Sequence, residues 1–204
     1  MKALKITPAW ILYPIGLIPA VYYFWAAINN QLGADPLAVL ENALGEWALK
    51  ILILVLAISP IMRFSRISLI KFRRPLGLVA FTYVLLHLTV YLWLDRQFDW
   101  WAIWTDILKR PYITIGSAAF LMMIPLAFTS NNKSVKRLGA AAWQKMHMLV
   151  YPAAIGGAVH YVLLEKVWEP EAIAYLVIIT TLVAMRWLWK GKHKNRSDRR
   201  TSTT

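Results

Sequence analysis

Cysteine is absent from this 204-residue chain. That excludes disulfides, cysteine-ligated zinc and iron–sulfur clusters together. Charge is scarce as well: 16% of residues are Asp, Glu, Lys or Arg, against roughly 25% in an ordinary soluble domain. Acid is the scarcer sign, with 10 Asp and Glu against 23 Lys and Arg. Histidine, present four times, is then the one good ligand for a soft metal or a haem iron, apart from seven methionines.

Apolar sequence fills the space. Hydrophobic residues make up 59% of the chain and the mean hydropathy is +0.49. Uncharged runs cover residues 9–28, 75–94, 111–132 and 146–164, each near the ~20 residues that cross a bilayer. Two further spans borrow one charge near an end: 47–62 with Lys50, and 172–189 with Arg186. Long basic side chains in such places extend to the headgroups. The first run, 20 residues long, exceeds the ~7–15 of a signal peptide and no A-x-A site follows it, so it reads as a membrane helix. The expected fold class is all-α, an integral membrane bundle of six transmembrane helices over residues 1–190. A basic, disordered tail at 191–204 is expected to follow.

The net charge of +13 suggests nucleic acid only until its distribution is read. Alternating the loops of six spans puts Lys2, Lys5, the basic residues of 63–74 and 133–145 and those from Arg186 onward on one side, 18 of 23 in all. Nine of the ten acids fall on the other side, Asp198 being the exception. Basic loops stay in the cytoplasm, so both termini are expected there. Trp10, Trp93, Trp143, Trp168, Trp187 and Trp189 flank span ends as an aromatic belt does. Trp100, Trp101 and Trp104 read as a short helix on the outer surface.

A histidine inside a span is costly without a partner and is a candidate functional residue. His87 lies 13 residues past Arg74, and His160 lies 15 past Lys145. Both spans run outward, which sets the two rings at matched depth in the outer half. Paired imidazoles at one depth of a helix bundle are how proteins hold a b-type haem. Interhelical hydrogen bonding is the plainer role for any one of them, but two at matched depth favour haem. His147 is two residues past Lys145, ~20 Å from His160 along an ideal helix and ~140° around it. It reads as a separate inner site, either a second haem or the mouth of electron entry. Pro152 and Gly156–Gly157 between them can supply a kink, or admit a macrocycle or a neighbouring helix. Tyr91 and Tyr151 each follow a histidine by four residues and read as packing aromatics before haem-edge donors. His193 falls in the tail and reads as solvated. Arg73 and Arg74 at the inner end, and Arg96 and Arg110 at the outer, are loop charges first, and possible partners of propionates or a phosphate second.

The segments RRPLGLVAFTYVLLHLTVY (73–91), RPYITIG (110–116), LAFTSN (126–131) and LGAAAWQKMHMLVYPAAIGGAVHY (138–161) resemble the MsrQ (YedZ) family, the haem-binding membrane subunits of the bacterial methionine sulfoxide reductase system. The likeness covers the chain after its first helix. The family falls in the ferric reductase-like transmembrane group with the membrane halves of NADPH oxidases. The resemblance implies a six-helix haem b protein of the inner membrane that takes electrons from the quinol pool or a cytosolic flavin reductase. It would pass them to a periplasmic molybdenum-cofactor subunit that repairs methionine sulfoxide in envelope proteins. FMN is implied too, although no flavin motif is visible. The family's functional histidines fall on His87, His147 and His160. NADPH oxidases carry a second histidine on the helix of His87; here the positions 13 and 14 before it are Arg74 and Arg73. A nucleotide-binding domain is also missing, so the donor is expected to be another molecule. The competing readings are a cytochrome b anchor of a different periplasmic oxidoreductase, and a small transporter or scaffold with histidine-lined helix contacts.

Overall fold

The computed structural model describes the backbone of residues 2–3, 8–164 and 169–201, with side chains over 8–164 and 169–188. Six helical segments are long and apolar enough to cross a membrane: Ala9–Ile28, Pro36–Ser65, Ile70–Asp95, Pro111–Phe128, Ala140–Leu164 and Pro170–Leu188. The chain thus forms the expected six-span bundle. A two-residue parallel pairing, Lys2–Ala3 with Ile67–Ser68, is the one departure from helix and turn among the described elements.

A short 3-10 turn leads into α1 (Leu12–Ile28). The second helix, α2 (Pro36–Ser65), starts 11 residues ahead of the expected Trp47. Asp35 accepts a hydrogen bond from the Ala38 N–H at 3.0 Å and Pro36 occupies the first turn. This capped start outweighs Glu41 and Glu46, whose charge had read as loop. The added turns bury Leu40, Ala43 and Leu44. The third helix, α3 (Ile70–Thr89), begins before Pro75 and runs on into a π turn over Val90–Asp95. Such wide turns recur at functional sites, and this one carries Tyr91. The expected surface helix is α4 (Trp100–Lys109), capped by Asp99, which accepts from the Trp101 and Ala102 N–H groups at 3.0 Å. Its three tryptophans face outward, away from buried Ile103 and Asp106. After α5 (Pro111–Phe128) come two short helices, α6 (Asn132–Leu138) and α7 (Ala140–Met146), and a 3-10 turn at His147–Leu149. Then come α8 (Val150–Leu164) and α9 (Pro170–Thr201). The last helix continues past the expected end at Trp189 as backbone helix. Of the expected tail at 191–204 the backbone is described to Thr201; its side chains, His193 among them, lie outside the described residues, as do Trp168 and the side chain of Trp189.

Two helix pairs build the bundle, α2 on α3 and α5 on α8; α9 packs on α8 and α2, and α1 on α3 and α2. Small residues allow the close approach that packing in lipid needs. Ala80, Ala154 and Ala158 are fully buried. A Cβ on Gly156 would stand 3.3 Å from Ala119 of α5, and one on Gly157 3.2 Å from Leu49 of α2. Tyr83 ties α1 to α3. Its hydroxyl donates to the Gly16 carbonyl at 2.9 Å and accepts from the Ala20 N–H at 3.1 Å. It thereby bridges the one-turn bond that the helix itself would make between those two groups.

Candidate functional site

His87 from α3 and His160 from α8 line one cavity of about 390 Å³, within the range of cofactor sites, ~300–1,000 Å³. Their ring centroids are 6.2 Å apart and their planes cross at 78°. The structure therefore brings together the two histidines whose depths matched in the sequence.

Each ring is held the same way. His87 Nδ1 donates to the Glu41 carbonyl of α2 at 2.9 Å, and His160 Nδ1 donates to the Tyr112 carbonyl of α5 at 2.7 Å. A carbonyl oxygen can only accept, so the proton sits on Nδ1 in both and Nε2 keeps its lone pair. In each case the accepting carbonyl lies four residues before a glycine. A Cβ on Gly45 would stand 3.3 Å from His87 Nδ1, and one on Gly116 would stand 2.8 Å from His160 Nδ1. The missing side chain lets the imidazole settle onto the neighbouring helix and reach its carbonyl. The same device thus appears twice, once in the α2/α3 pair and once in the α5/α8 pair. A ligating imidazole fixed through its other nitrogen is the usual arrangement of metal-binding histidine.

The separation suits two imidazoles on one metal. Centroids 6.2 Å apart leave room for one metal between two rings whose nitrogens would bond it at ~2.0 Å. Among the described residues no group of three or more His, Cys, Asp or Glu is placed to hold a metal ion. Two opposed imidazoles alone leave a metal short of equatorial ligands, which a porphyrin supplies. The residues present therefore fit a haem.

The mouth of the cavity nearest α4 is charged. Arg96 and Arg110 both line it. Arg96 Nη2 lies 2.8 Å from Asp106 Oδ2, and Arg110 Nε lies 3.0 Å from Asp106 Oδ1. Tyr91 donates its hydroxyl to Asp106 Oδ2 at 3.0 Å, so it serves this cluster and not packing alone. The Tyr112 hydroxyl, helped by Asp106, holds the Arg110 guanidinium above its ordinary range. Asp106 was counted in the sequence among the outer loop acids, yet it is only 8% exposed.

His147 is not part of this cavity. Its ring stacks on Trp143 with centroids 3.7 Å apart, and its Nδ1 lies 3.1 Å from the Trp143 carbonyl. Among the described residues its buried Nε2 has no hydrogen-bond partner of full geometry, with the Leu126 backbone nearby. Arg74 and Arg73 act on it electrostatically, and among the described residues no second histidine stands beside it. Tyr151 is buried at the same end, beneath the Arg186 guanidinium.

Gly45, Gly116 and Asp106 escaped the sequence reading. The one available signal was the repeated spacing of a cavity-lining residue and a glycine four positions later, at 41/45 and 112/116.

The fold and the facing histidines define a class: a multi-pass membrane protein with a ferric reductase-like transmembrane domain. The family described as ferric reductase like transmembrane component matches residues 43–158, which include His87 and His147 and stop just short of His160. Proteins from Brucella ovis, Brucella canis and Brucella melitensis biotype 2 are each 45% identical to it over 177 residues, covering 87% of this chain and 80% of theirs. Each is named protein-methionine-sulfoxide reductase heme-binding subunit MsrQ. The chain belongs to the MsrQ family. No solved structure matches it.

Proposed function

We propose that this chain is the electron-transfer subunit of a methionine sulfoxide reductase system and holds b-type haem between His87 and His160. The observation that carries the reading is the facing pair itself, with rings 6.2 Å apart and both Nδ1 protons committed to backbone carbonyls. Interhelical bonding accounts for the Nδ1 contacts, but not for two rings converging on a shared cavity. Haem bound there supplies a one-electron ferric/ferrous couple.

The protein's own groups set the conditions for that couple. His87 and His160 offer Nε2 lone pairs, and the carbonyls of Glu41 and Tyr112 raise the basicity of both rings. Leu49, Leu52, Val84 and Phe120 give the cavity an apolar lining. Arg96 and Arg110, held by Asp106 at the cavity lining, would offer cations to haem carboxylates. His147, with its Nε2 buried near the basic end, is the inner site. It acts either as ligand to a second haem or at the point where electrons enter. In this reading that end, with its basic loops, lies in the cytoplasm.

In this reading the donor is the quinol pool or a cytosolic flavin reductase. The acceptor is a periplasmic molybdenum-cofactor subunit that reduces methionine sulfoxide in envelope proteins, and the chain sits in a bacterial inner membrane. No residue is assigned to FMN. The test is reconstitution of the full chain in vesicles with a quinol analogue inside and the molybdenum subunit with methionine sulfoxide outside. Methionine formation that requires the chain is expected. A haem-loaded chain that supports none, with either quinol or flavin reductase as donor, would overturn the reading.

A further inference from the structure

At the basic end of the bundle two guanidinium groups meet at one neutral oxygen. Ser59 Oγ of α2 accepts from Arg73 Nη2 of α3 at 2.9 Å and from Arg186 Nη1 of α9 at 2.9 Å. The Arg186 guanidinium also lies 5.4 Å over the Tyr151 ring. Among the described residues neither arginine pairs with a carboxylate. The outer end is built in the opposite way, with Arg96 and Arg110 sharing Asp106. Two cations bridged by a hydroxyl repel one another, and the hydroxyl offsets little of that repulsion. An oxyanion would complete the arrangement. Guanidinium groups take phosphate oxygens in a two-point fork, and a serine hydroxyl can turn to donate.

The setting identifies the source of that oxyanion. Arg186 is exposed, and the residues that follow it, Trp187 and Leu188, are 66% and 68% exposed. On α2, Ile61 and Phe64 are exposed close after Ser59. The cluster therefore lies level with an apolar, exposed rim of α9 and α2 side chains at the end of the spans, where lipid headgroups lie. A soluble anion would gain nothing from that rim, whereas acyl chains would cover it. We propose that Arg73, Arg186 and Ser59 form a binding site for the phosphate of an anionic phospholipid. Basic pockets between transmembrane helices at the cytoplasmic side are suited to such headgroups. The proposal is independent of the haem reading.

Native mass spectrometry of the full chain in detergent tests it, with phosphatidylglycerol, phosphatidylcholine or inorganic phosphate added. The wild type is expected to retain phosphatidylglycerol in preference to phosphatidylcholine. Arg186→Gln should lower that retention by about tenfold, the smaller end of what a charged hydrogen bond contributes. Arg137→Gln removes one cation from an exposed position on α6 and should change retention by less than about fivefold. Arg186 is the chosen position because its exposed side chain can be replaced without emptying the core. Equal losses in the two variants would reduce the effect to net charge and overturn the site. Retention of phosphatidylcholine as tight as that of phosphatidylglycerol would overturn it as well. Displacement of the lipid by inorganic phosphate would assign the cluster to a soluble phosphate and overturn the lipid assignment.

Discussion

Replacing Gly116 by alanine tests how the His160 ring is held. The new Cβ would stand 2.8 Å from His160 Nδ1 and 3.1 Å from its Cε1 and Cγ. The obstacle is the ring body, not the tip of a flexible side chain, and the ring can retreat only toward the cavity. The retreat stretches the 2.7 Å bond from Nδ1 to the Tyr112 carbonyl. A hydrogen bond of this kind is worth ~0.5–1.5 kcal/mol net. Because the bond makes the ring a stronger donor to ferric iron, its loss should raise the midpoint potential. With one electron transferred, that energy corresponds to ~20–65 mV. Haem affinity should fall by ~10- to 100-fold, as is usual when the group orienting a metal ligand is removed. Gly45→Ala supplies the internal comparison. Its Cβ would meet His87 Nδ1 at 3.3 Å, a contact that a shift of a few tenths of an ångström relieves, so its effect should be smaller and of the same sign. The assay is a spectroelectrochemical titration of both variants, with haem content measured on the same samples. A Gly116→Ala protein with wild-type potential and haem content would refute the cradle, and so would a larger shift in Gly45→Ala.

Other consequences can be checked separately. His147→Ala should keep the spectrum of the His87/His160 site but slow its reduction by quinol or flavin reductase in stopped-flow measurements on membranes; unchanged rate and haem content would leave His147 a structural residue stacked on Trp143. Reporter fusions should place Asp99 outside and the C-terminus inside, and a C-terminal fusion active only in the periplasm would reverse the charge argument. Tyr83→Phe removes the hydroxyl bridging Gly16 and Ala20 and should cost ~1 kcal/mol, read as a lower thermal midpoint in detergent with an unchanged haem spectrum.

The spans were legible because bilayer crossing is written locally, as run length and hydropathy. Histidine depth was legible for the same reason, since distance from Arg74 or Lys145 converts directly to height along a helix. The start of α2 was misread because Glu41 and Glu46 carry charge, and the Asp35–Pro36 cap that overrides them is a weaker signal. Asp106 looked like one more outer acid because nothing in its neighbourhood announces that Arg96 and Arg110 close over it. Arg186 read as an arginine reaching for the headgroups, which hid its meeting with Arg73 at Ser59. The histidine cradles were the least accessible feature. Gly45 and Gly116 gain their meaning only once α2 is known to face α3 and α5 to face α8, and that pairing is a tertiary fact.

The central claim, that His87 and His160 together hold one haem, is tested most directly by haem quantification and absorption spectra of the purified wild type beside His87→Ala, His160→Ala and His147→Ala. The account predicts a red wild-type protein whose Soret band shifts on dithionite reduction. It also predicts loss of the low-spin spectrum in both His87→Ala and His160→Ala, and its retention in His147→Ala. Wild-type haem content and spectra in both His87→Ala and His160→Ala would contradict it.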